Sequence, residues 1–252
     1  MLNIVIPMAG AGSRFAFKGY KEPKPLISIH GTPMIQAVIQ NLKPAEPHRF
    51  IFICQRTQVK EFGLHKKLTE WASNSSVFEI DGLTEGAACT VLVAKSLIDS
   101  DTPLMIANCD QYVDIDINYY LRTLKYSNLD GLIMTMRAND PKWSFVDLNN
   151  EGYVRRVVEK QVISNEATVG IYNFRNGHSF VIAAEEMIAK NERINGEFYV
   201  APTYNNLIAT GHKVGIYNIG SEGAGMYGLG IPSDLEEFLA LPLSHRLNQR
   251  QS

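Results

Sequence analysis

The sequence predicts a single α/β domain built on a mixed, mostly parallel central sheet into which a β-hairpin is inserted. Three observations carry this expectation. Short apolar runs alternate with stretches of helical period through the first half of the chain. A glycine-rich turn follows directly on the first apolar run. Past the midpoint the alternation gives way to two strand patterns joined by an Asn-rich turn. With 252 residues the chain can bury one sizeable core, and no repeat or linker divides it, so the expected domain is 1–252 with the pattern changing near residue 128.

Taken in order, residues 3–7 (NIVIP) form a buried first strand, and residues 9–13 form a phosphate-sized loop. Thr32 caps a helix with Pro33 at its first position, and Ile35, Val38, Ile39 and Leu42 supply its apolar stripe. Residues 49–55 read as a second strand, 57 onward as a helix, 76–80 as a third strand and 85–98 as an Ala-rich helix. The fourth strand, 103–107 (PLMIA), ends in Asn108, Cys109 and Asp110, and open α/β sheets bind ligands at such C-terminal strand ends. A helix over 117–126 follows. Residues 131–137 and 144–148 are strands, 149–152 a turn, and 153–159 the returning strand of the hairpin. The rest reads as a strand over 169–174, helices over 177–190 and 198–209, a strand over 213–219, a Gly-rich stretch and a helix from Ser233.

Composition narrows the function classes. Hydrophobic residues make up 45% and charged residues 20%, and the net charge of −2 leaves no global basic field for nucleic acid or a membrane surface. Any anion site must be local. Cys54, Cys89 and Cys109 are odd in number and lie in or beside apolar runs, as buried thiols of a reducing compartment do. The N-terminus opens on a strand pattern without a leader-like segment, and no apolar run is long enough to span a bilayer. The expectation is a cytoplasmic protein with neither nucleic acid nor membrane as partner; homo-oligomerisation is left open.

The strongest chemical signal is the stretch 7–26, PMAGAGSRFAFKGYKEPKPL, where a glycine loop after a buried strand is followed by Arg14, Lys21 and Lys24. Backbone N–H groups of Gly10, Ala11, Gly12 and Ser13 can form a concave nest for phosphate oxygens, and glycines let the chain approach closely. Arg14 and Lys24 can neutralise charge on a departing pyrophosphate. A Walker loop would need Gly-Lys-Ser/Thr at its end, and a dinucleotide loop a third glycine where Phe15 stands. A solvated turn with unengaged cations is the plainer alternative, and the PKPL that follows argues against it.

With the loop of form G-x-G-[ST]-R and a following P-K-x-L, the segment resembles the signature of nucleotidyltransferases such as the sugar-1-phosphate nucleotidylyltransferases, and is most similar to the small members associated with capsule and surface polysaccharide. The resemblance extends to Asp110 after its strand, Glu159-Lys160 after the hairpin, Gly170, and Glu197 in NGEF. It implies a Rossmann-like, GT-A-like fold with a nucleotide-binding half (1–128) and an acceptor-binding half (129–252). The implied activity is transfer of a nucleoside monophosphate from a nucleoside triphosphate to a phosphorylated small molecule, with Mg²⁺ as cofactor and pyrophosphate as product. By the same resemblance, Ala9, Gly10, Ala11, Gly12, Ser13, Arg14, Lys24, Gly86 and Ala87 bind the nucleotide, and Arg14, Lys24 and Asp110 are catalytic. Asp110 holds the metal, and Glu159, Lys160, Gly170 and Glu197 bind the acceptor.

Two departures qualify what the resemblance implies. Members of the family often carry an Asp two residues before the Gly of a late G-T-P-like turn, and in MYGLGIPSDL that position is Gly228; Asp234 nearby reads as part of a helix N-terminus. Before the hairpin, sugar-specific members often have a Gly where this chain reads Trp143-Ser144-Phe145, which puts a simple hexose 1-phosphate in question and leaves a cytidylyl donor with a phosphorylated polyol or amino-acid derivative as the alternative. Asp114-Ile115-Asp116 offers a D-x-D metal motif, the basis for a competing glycosyltransferase reading. A catalytically silent nucleotide-binding protein is the third.

Overall fold

The structure is a computed structural model that describes residues 1–249, with side chains described to Leu247. Its thirteen strands, among the described residues, are β1 (Leu2–Pro7), β2 (Ser28–Ile29), β3 (Thr32–Pro33), β4 (His48–Gln55), β5 (Ser75–Ile80), β6 (Leu104–Ala107), β7 (Gln111–Val113), β8 (Gly131–Arg137), β9 (Ser144–Leu148), β10 (Val154–Glu159), β11 (Glu166–Phe174), β12 (Val214–Glu222) and β13 (Gly225–Gly228). The main helices are α1 (Ser13–Phe17), α2 (Met34–Leu42), α3 (Arg56–Phe62), α4 (Leu64–Trp71), α5 (Ala87–Leu92), α6 (Lys95–Ile98), α7 (Ile117–Tyr126), α8 (Gly177–Ala189), α9 (Thr203–Ala209) and α10 (Pro232–Leu239).

All strands but β2 and β3 belong to one mixed sheet in the order β5-β4-β1-β6-β11-β8-β12-β13-β7, with the β9–β10 hairpin joined to β11. The stretch β5-β4-β1-β6 is parallel throughout, and β11 runs antiparallel to both its neighbours. Alternate residues of the strands feed opposite faces. Ile4, Ile6, Phe50, Phe52, Met105 and Met134 pack on one side against Val38 of α2, Leu68 of α4 and Tyr120 of α7. Val5, Ile51, Ile53, Ile106 and Ile133 pack on the other against Val91 of α5, Phe180 of α8 and Tyr204 of α9. The result is a three-layer α/β/α arrangement in which β1 and β6 lie side by side, and their C-terminal ends carry the glycine loop and Asp110.

Several boundaries differ from the sequence reading for local reasons. Pro33 is the N-cap rather than the first helical residue, because Thr32 and Pro33 pair as β3 with Ser28 and Ile29. The helix after β4 breaks at Gly63, which takes a left-handed φ of 63° and caps α3. Residues 85–98 form two short helices: Thr90, Val91 and Val93 lower helix propensity, and the Thr90 hydroxyl donates back to the Gly86 carbonyl at 3.2 Å. Helix α9 begins only at Thr203, with Pro202 as its cap. Strands β7 and β13 lie where the sequence offered a strand end and a Gly-rich stretch.

Candidate active site

The loop after β1 is shaped by one glycine and one aromatic anchor. Gly12 adopts φ 62°, which a side chain would strain, and a Cβ there would already stand 3.4 Å from Cβ of Lys24. Two residues beyond Arg14's neighbour Ser13, Phe15 is 1% exposed and buried among Ile27, Met34, Tyr112 and Leu229. It fixes the single turn of α1 to the body of the protein and leaves Ala11, Ser13 and Arg14 exposed. The aromatic at the place where a dinucleotide loop would need glycine is therefore what holds this loop down.

Lys24 enters on the short 3₁₀ turn 24–26, and its Nζ lies 2.7 Å from Oδ2 of Asp110, the two side chains being 22% and 23% exposed. Burial works against the Lys24 charge, but Asp110, with Cys109 behind it, outweighs burial and raises the lysine above its ordinary pKa. The ammonium stays charged at any working pH. Ala11, Gly12, Ser13, Arg14, Lys24 and Gly230 line a cleft of about 230 Å³. Asp110 is held at its rim by the strand end itself, since Leu229 donates its N–H to the Asp110 carbonyl at 2.8 Å.

A second cavity, of about 290 Å³, opens beside it and is lined by Ala87, Asn108, Lys142, Trp143, Ser144, Glu159, Lys160, Gly170 and Tyr199 among others. Asn108 stands two residues before Asp110, so the two clefts adjoin at the end of β6. Burial raises the pKa of Glu159, opposed by a hydrogen bond from the Ser144 hydroxyl and by the charge of Lys160. Lys160 donates to the Tyr199 hydroxyl at 2.5 Å and lies over the Tyr199 ring. Its backbone is left-handed, φ 55°, a conformation that costs a non-glycine residue about 1–3 kcal/mol, and its N–H is tied to the Trp143 carbonyl at 3.1 Å. Glu197 is exposed at the edge of this cavity, where its charge is felt by Lys160 and Tyr199.

The residues singled out from the sequence thus fall into two adjoining groups. Ala11, Gly12, Ser13, Arg14 and Lys24 line the first cleft, with Asp110 bonded to Lys24; Ala87, Glu159, Lys160 and Gly170 line the second. Ala9 is buried, and its contribution is a carbonyl that accepts from Gln55 Nε2 at 2.7 Å. The same Nε2 donates to the Gly82 carbonyl at 2.7 Å, so Gln55 ties the glycine loop to the 81–87 segment. Gly86 is a packing position: with φ 129°, a Cβ there would stand 2.5 Å from the carbonyl oxygen of Phe198. Gly86→Ala is expected to destabilise the fold by about 2–3 kcal/mol, read as a lowered urea midpoint, because neither backbone can yield.

Gln55 and Tyr199 carry no motif and escaped the sequence reading, Gln55 at the end of β4 and Tyr199 in the loop before α9; Asn108 and Ser144 stood in segments the sequence singled out, but without a role of their own. The Trp143-Ser144-Phe145 segment divides: Phe145 is fully buried in the core, whereas Trp143 and Ser144 face the cavity, with Lys142 Nζ 4.9 Å over the Trp143 ring. The D-x-D pair is spent elsewhere, since Asp116 caps α7 by accepting from the Asn118 N–H at 2.9 Å and Asp114 faces Arg246 at 3.7 Å. Cys54 and Cys109 are buried, and burial pushes their thiols up to about 12 and about 11, so neither is a nucleophile.

A phosphate-sized cleft of this kind implies a divalent cation. Among the described residues no group of three His, Cys, Asp or Glu side chains could enclose a metal ion. A lone strand-end carboxylate beside a phosphate-sized cleft suits Mg²⁺ nevertheless, because that ion is held by one or two carboxylates and completes its shell with water and substrate phosphates. Among the described residues no helix is long and apolar enough to cross a membrane.

Comparison with known proteins agrees with this geometry. A family model described as nucleotidyl transferase matches residues 4–201. The bifunctional protein GlmU of Lactobacillus johnsonii is 25% identical over 232 residues, 86% of this chain and 46% of the relative; GlmU of Methanococcus vannielii is 25% identical over 224 residues, 85% and 50%. The chain therefore spans about half the length of the curated relatives it matches. Among solved structures, a nucleoside-diphosphate-sugar pyrophosphorylase from Vibrio cholerae RC9 superimposes with a TM-score of 0.78 at 26% identity, over 94% of this chain and 100% of that one. An inositol-1-phosphate CTP transferase from T. maritima shares the fold, with a TM-score of 0.70 at 14% identity over 98% and 94% of the two chains. With the family match covering most of the chain and the loop, the strand-end acid and the paired clefts in place, the protein belongs to the nucleotidyl transferase family.

Proposed function

We propose that the protein transfers a nucleoside monophosphate from a nucleoside triphosphate to a small phosphorylated metabolite, a sugar 1-phosphate or a phosphorylated polyol, and releases pyrophosphate. The observation that carries this reading is the junction of the two clefts at the end of β6: a glycine loop with Arg14 and Lys24 on one side of Asp110, and a cavity holding Lys160 and Glu159 on the other. The triphosphate lies along the loop, and the acceptor phosphate is held at the Lys160 side. An acceptor phosphate oxygen forms a bond to the α-phosphorus while the bond from that phosphorus to the β-bridging oxygen breaks, and the electron pair leaves with pyrophosphate.

That nucleophile is already ionised at neutral pH, so positioning and charge neutralisation suffice and no side chain need accept a proton. Gly10, Ala11, Gly12 and Ser13 offer backbone N–H groups to the phosphates, and Arg14 and Lys24 balance the charge of the leaving pyrophosphate. Asp110 holds Mg²⁺, which when bound neutralises charge on the triphosphate. Before nucleotide arrives, Lys24 occupies Oδ2 of Asp110; the incoming phosphates offer the ammonium a second anion. Ala87 and the 81–87 segment, braced by Gln55, lie beside the base, and Glu159, Gly170 and Glu197 shape the acceptor side. On this reading residues 1–128 bind nucleotide and residues 129–252 bind acceptor within a single domain.

The wall formed by Trp143 and Lys142 favours a second reading within the same chemistry, a cytidylyl donor with a compact acceptor such as a phosphorylated polyol or amino-acid derivative. The free thiols and the family resemblance support a place in the cytoplasm, in the supply of activated precursors for surface polysaccharide. Pyrophosphate release, measured with the four common triphosphates against a panel of phosphorylated sugars, polyols and amino-acid derivatives in the presence of Mg²⁺, tests the proposal. Turnover with at least one pair is expected; nucleotide binding without turnover across the panel would favour a silent nucleotide-binding protein. Lys160→Ala is expected to raise the acceptor KM by about 10- to 100-fold, the worth of a hydrogen bond to a charged group, with the nucleotide KM unchanged.

A further inference from the structure

The end of β13 is laid directly beside Asp110. Gly228 pairs in register with Gln111, the residue after that acid, and Leu229 donates its N–H to the Asp110 carbonyl. A Cβ on Gly230 would stand 2.7 Å from Oδ2 of Asp110, and a Cβ on Gly228 would stand 3.0 Å from Oδ2 of Asp234 and 3.7 Å from its Cγ. Neither glycine has a left-handed φ, so the backbone does not demand glycine at either place. What both positions provide is room, and two carboxylates fill it. They bear on a stretch of three residues whose ends are at most about 7 Å apart.

Asp234 lies in the first turn of α10, where a carboxylate commonly does no more than favour the helix dipole. Its surroundings go further than that. The hydrogen bond its carboxylate makes, among the described residues, is a long one of 3.4 Å from the neighbouring Ser233 hydroxyl, and no cation of the described residues pairs with it within 4.0 Å. Lys142, which lines the acceptor-side cavity and is bonded to Glu222 at 2.7 Å, is influenced by Asp234 together with Glu222 and Asp140. The acid therefore stands where a side chain at position 228 would begin, with its charge reaching Lys142.

We propose that Asp234, reaching over Gly228 from α10, supplies the second carboxylate to the divalent cation held by Asp110, in place of an acidic side chain at position 228. The proposal rests on the Mg²⁺-dependent reading above. Mn²⁺ titrations followed by electron paramagnetic resonance, on the full chain with the α,β-methylene analogues of the four common triphosphates, test it without turnover. Asp110→Asn is expected to remove the nucleotide-dependent Mn²⁺ site. Asp234→Asn should weaken it at least about tenfold with its melting temperature close to that of the wild type. Adding the acid back on the strand, as Gly228→Asp with Asp234→Ala, should restore most of the affinity. Wild-type Mn²⁺ affinity in Asp234→Asn, alongside a lost site in Asp110→Asn, would overturn the role of Asp234 and leave the metal-dependent reading standing. A loss in Asp234→Asn that the Gly228→Asp, Asp234→Ala pair fails to relieve would overturn the substitution of one position for the other. A wild-type protein with no nucleotide-dependent Mn²⁺ site would instead remove the reading on which the proposal rests.

Discussion

Asp110→Ala is expected to lower kcat by about 10³-fold or more while the protein stays folded. Asp110 is the acid paired with Lys24 at the phosphate cleft, so its removal takes away the proposed anchor for the cation and the partner of Lys24 in one step. The two consequences are separable. Stranding a fully buried charge costs about 3–5 kcal/mol of stability, but both side chains here keep over a fifth of their surface in water, which discounts that cost heavily. Asp110→Asn leaves an oxygen facing Lys24 and removes the charge. Pyrophosphate-release kinetics on the two variants, beside their thermal melts, should therefore give equally low rates with melting temperatures near that of the wild type. Rates within tenfold of the wild type in either variant would remove Asp110 from the reaction centre.

Lys24→Ala should cost about 10²- to 10³-fold in kcat/KM for the nucleotide, the usual worth of one well-placed group facing charge that develops in the transition state. The lysine has a second role that sharpens the prediction. Its stem packs on the bare face of Gly12, with 3.4 Å between the Lys24 Cβ and the place a Gly12 Cβ would take, so the side chain steadies the loop as well as charging the cleft. Lys24→Arg keeps the charge but replaces a compact ammonium with a planar fork, and should recover only a minor part of the loss. A fully active Lys24→Arg variant would show that net charge alone is required at this position. The acceptor KM should change little in both variants, since Lys160 lies in the other cavity.

Much of the candidate site was legible in the chain, and the reason is the locality of its signals. Gly10 to Lys24 lie within one short segment, and a loop that must present backbone N–H groups beside cations leaves a mark in adjacent residues. Asp110 was legible because a buried strand predicts where its C-terminal end opens. The acceptor side was less so. Lys160 and Glu159 were found through resemblance, but their partners Ser144 and Tyr199 come from another strand and a loop and have no local pattern. Gly86 reads in sequence as part of the Ala-rich helix over 85–98, and only the backbone of Phe198, more than a hundred residues later, explains why glycine stands there. Likewise β7 and β13 are three and four residues long and are strands because they pair with each other beside Asp110, a non-local fact. The Gly228 departure looked like a missing acid; in three dimensions an acid from α10 stands over it.

The convergence of the glycine loop, Lys24 and Asp110 on one triphosphate is tested most directly by a crystal structure of the protein with a non-hydrolysable nucleoside triphosphate and Mn²⁺, read by the anomalous signal of the metal. The expected result is a triphosphate lying along Gly10 to Arg14, Lys24 released toward its oxygens, and a Mn²⁺ peak within about 2.0–2.2 Å of an Asp110 carboxylate oxygen. A nucleotide bound away from the glycine loop, or a metal peak that leaves Asp110 paired only with Lys24, would contradict it.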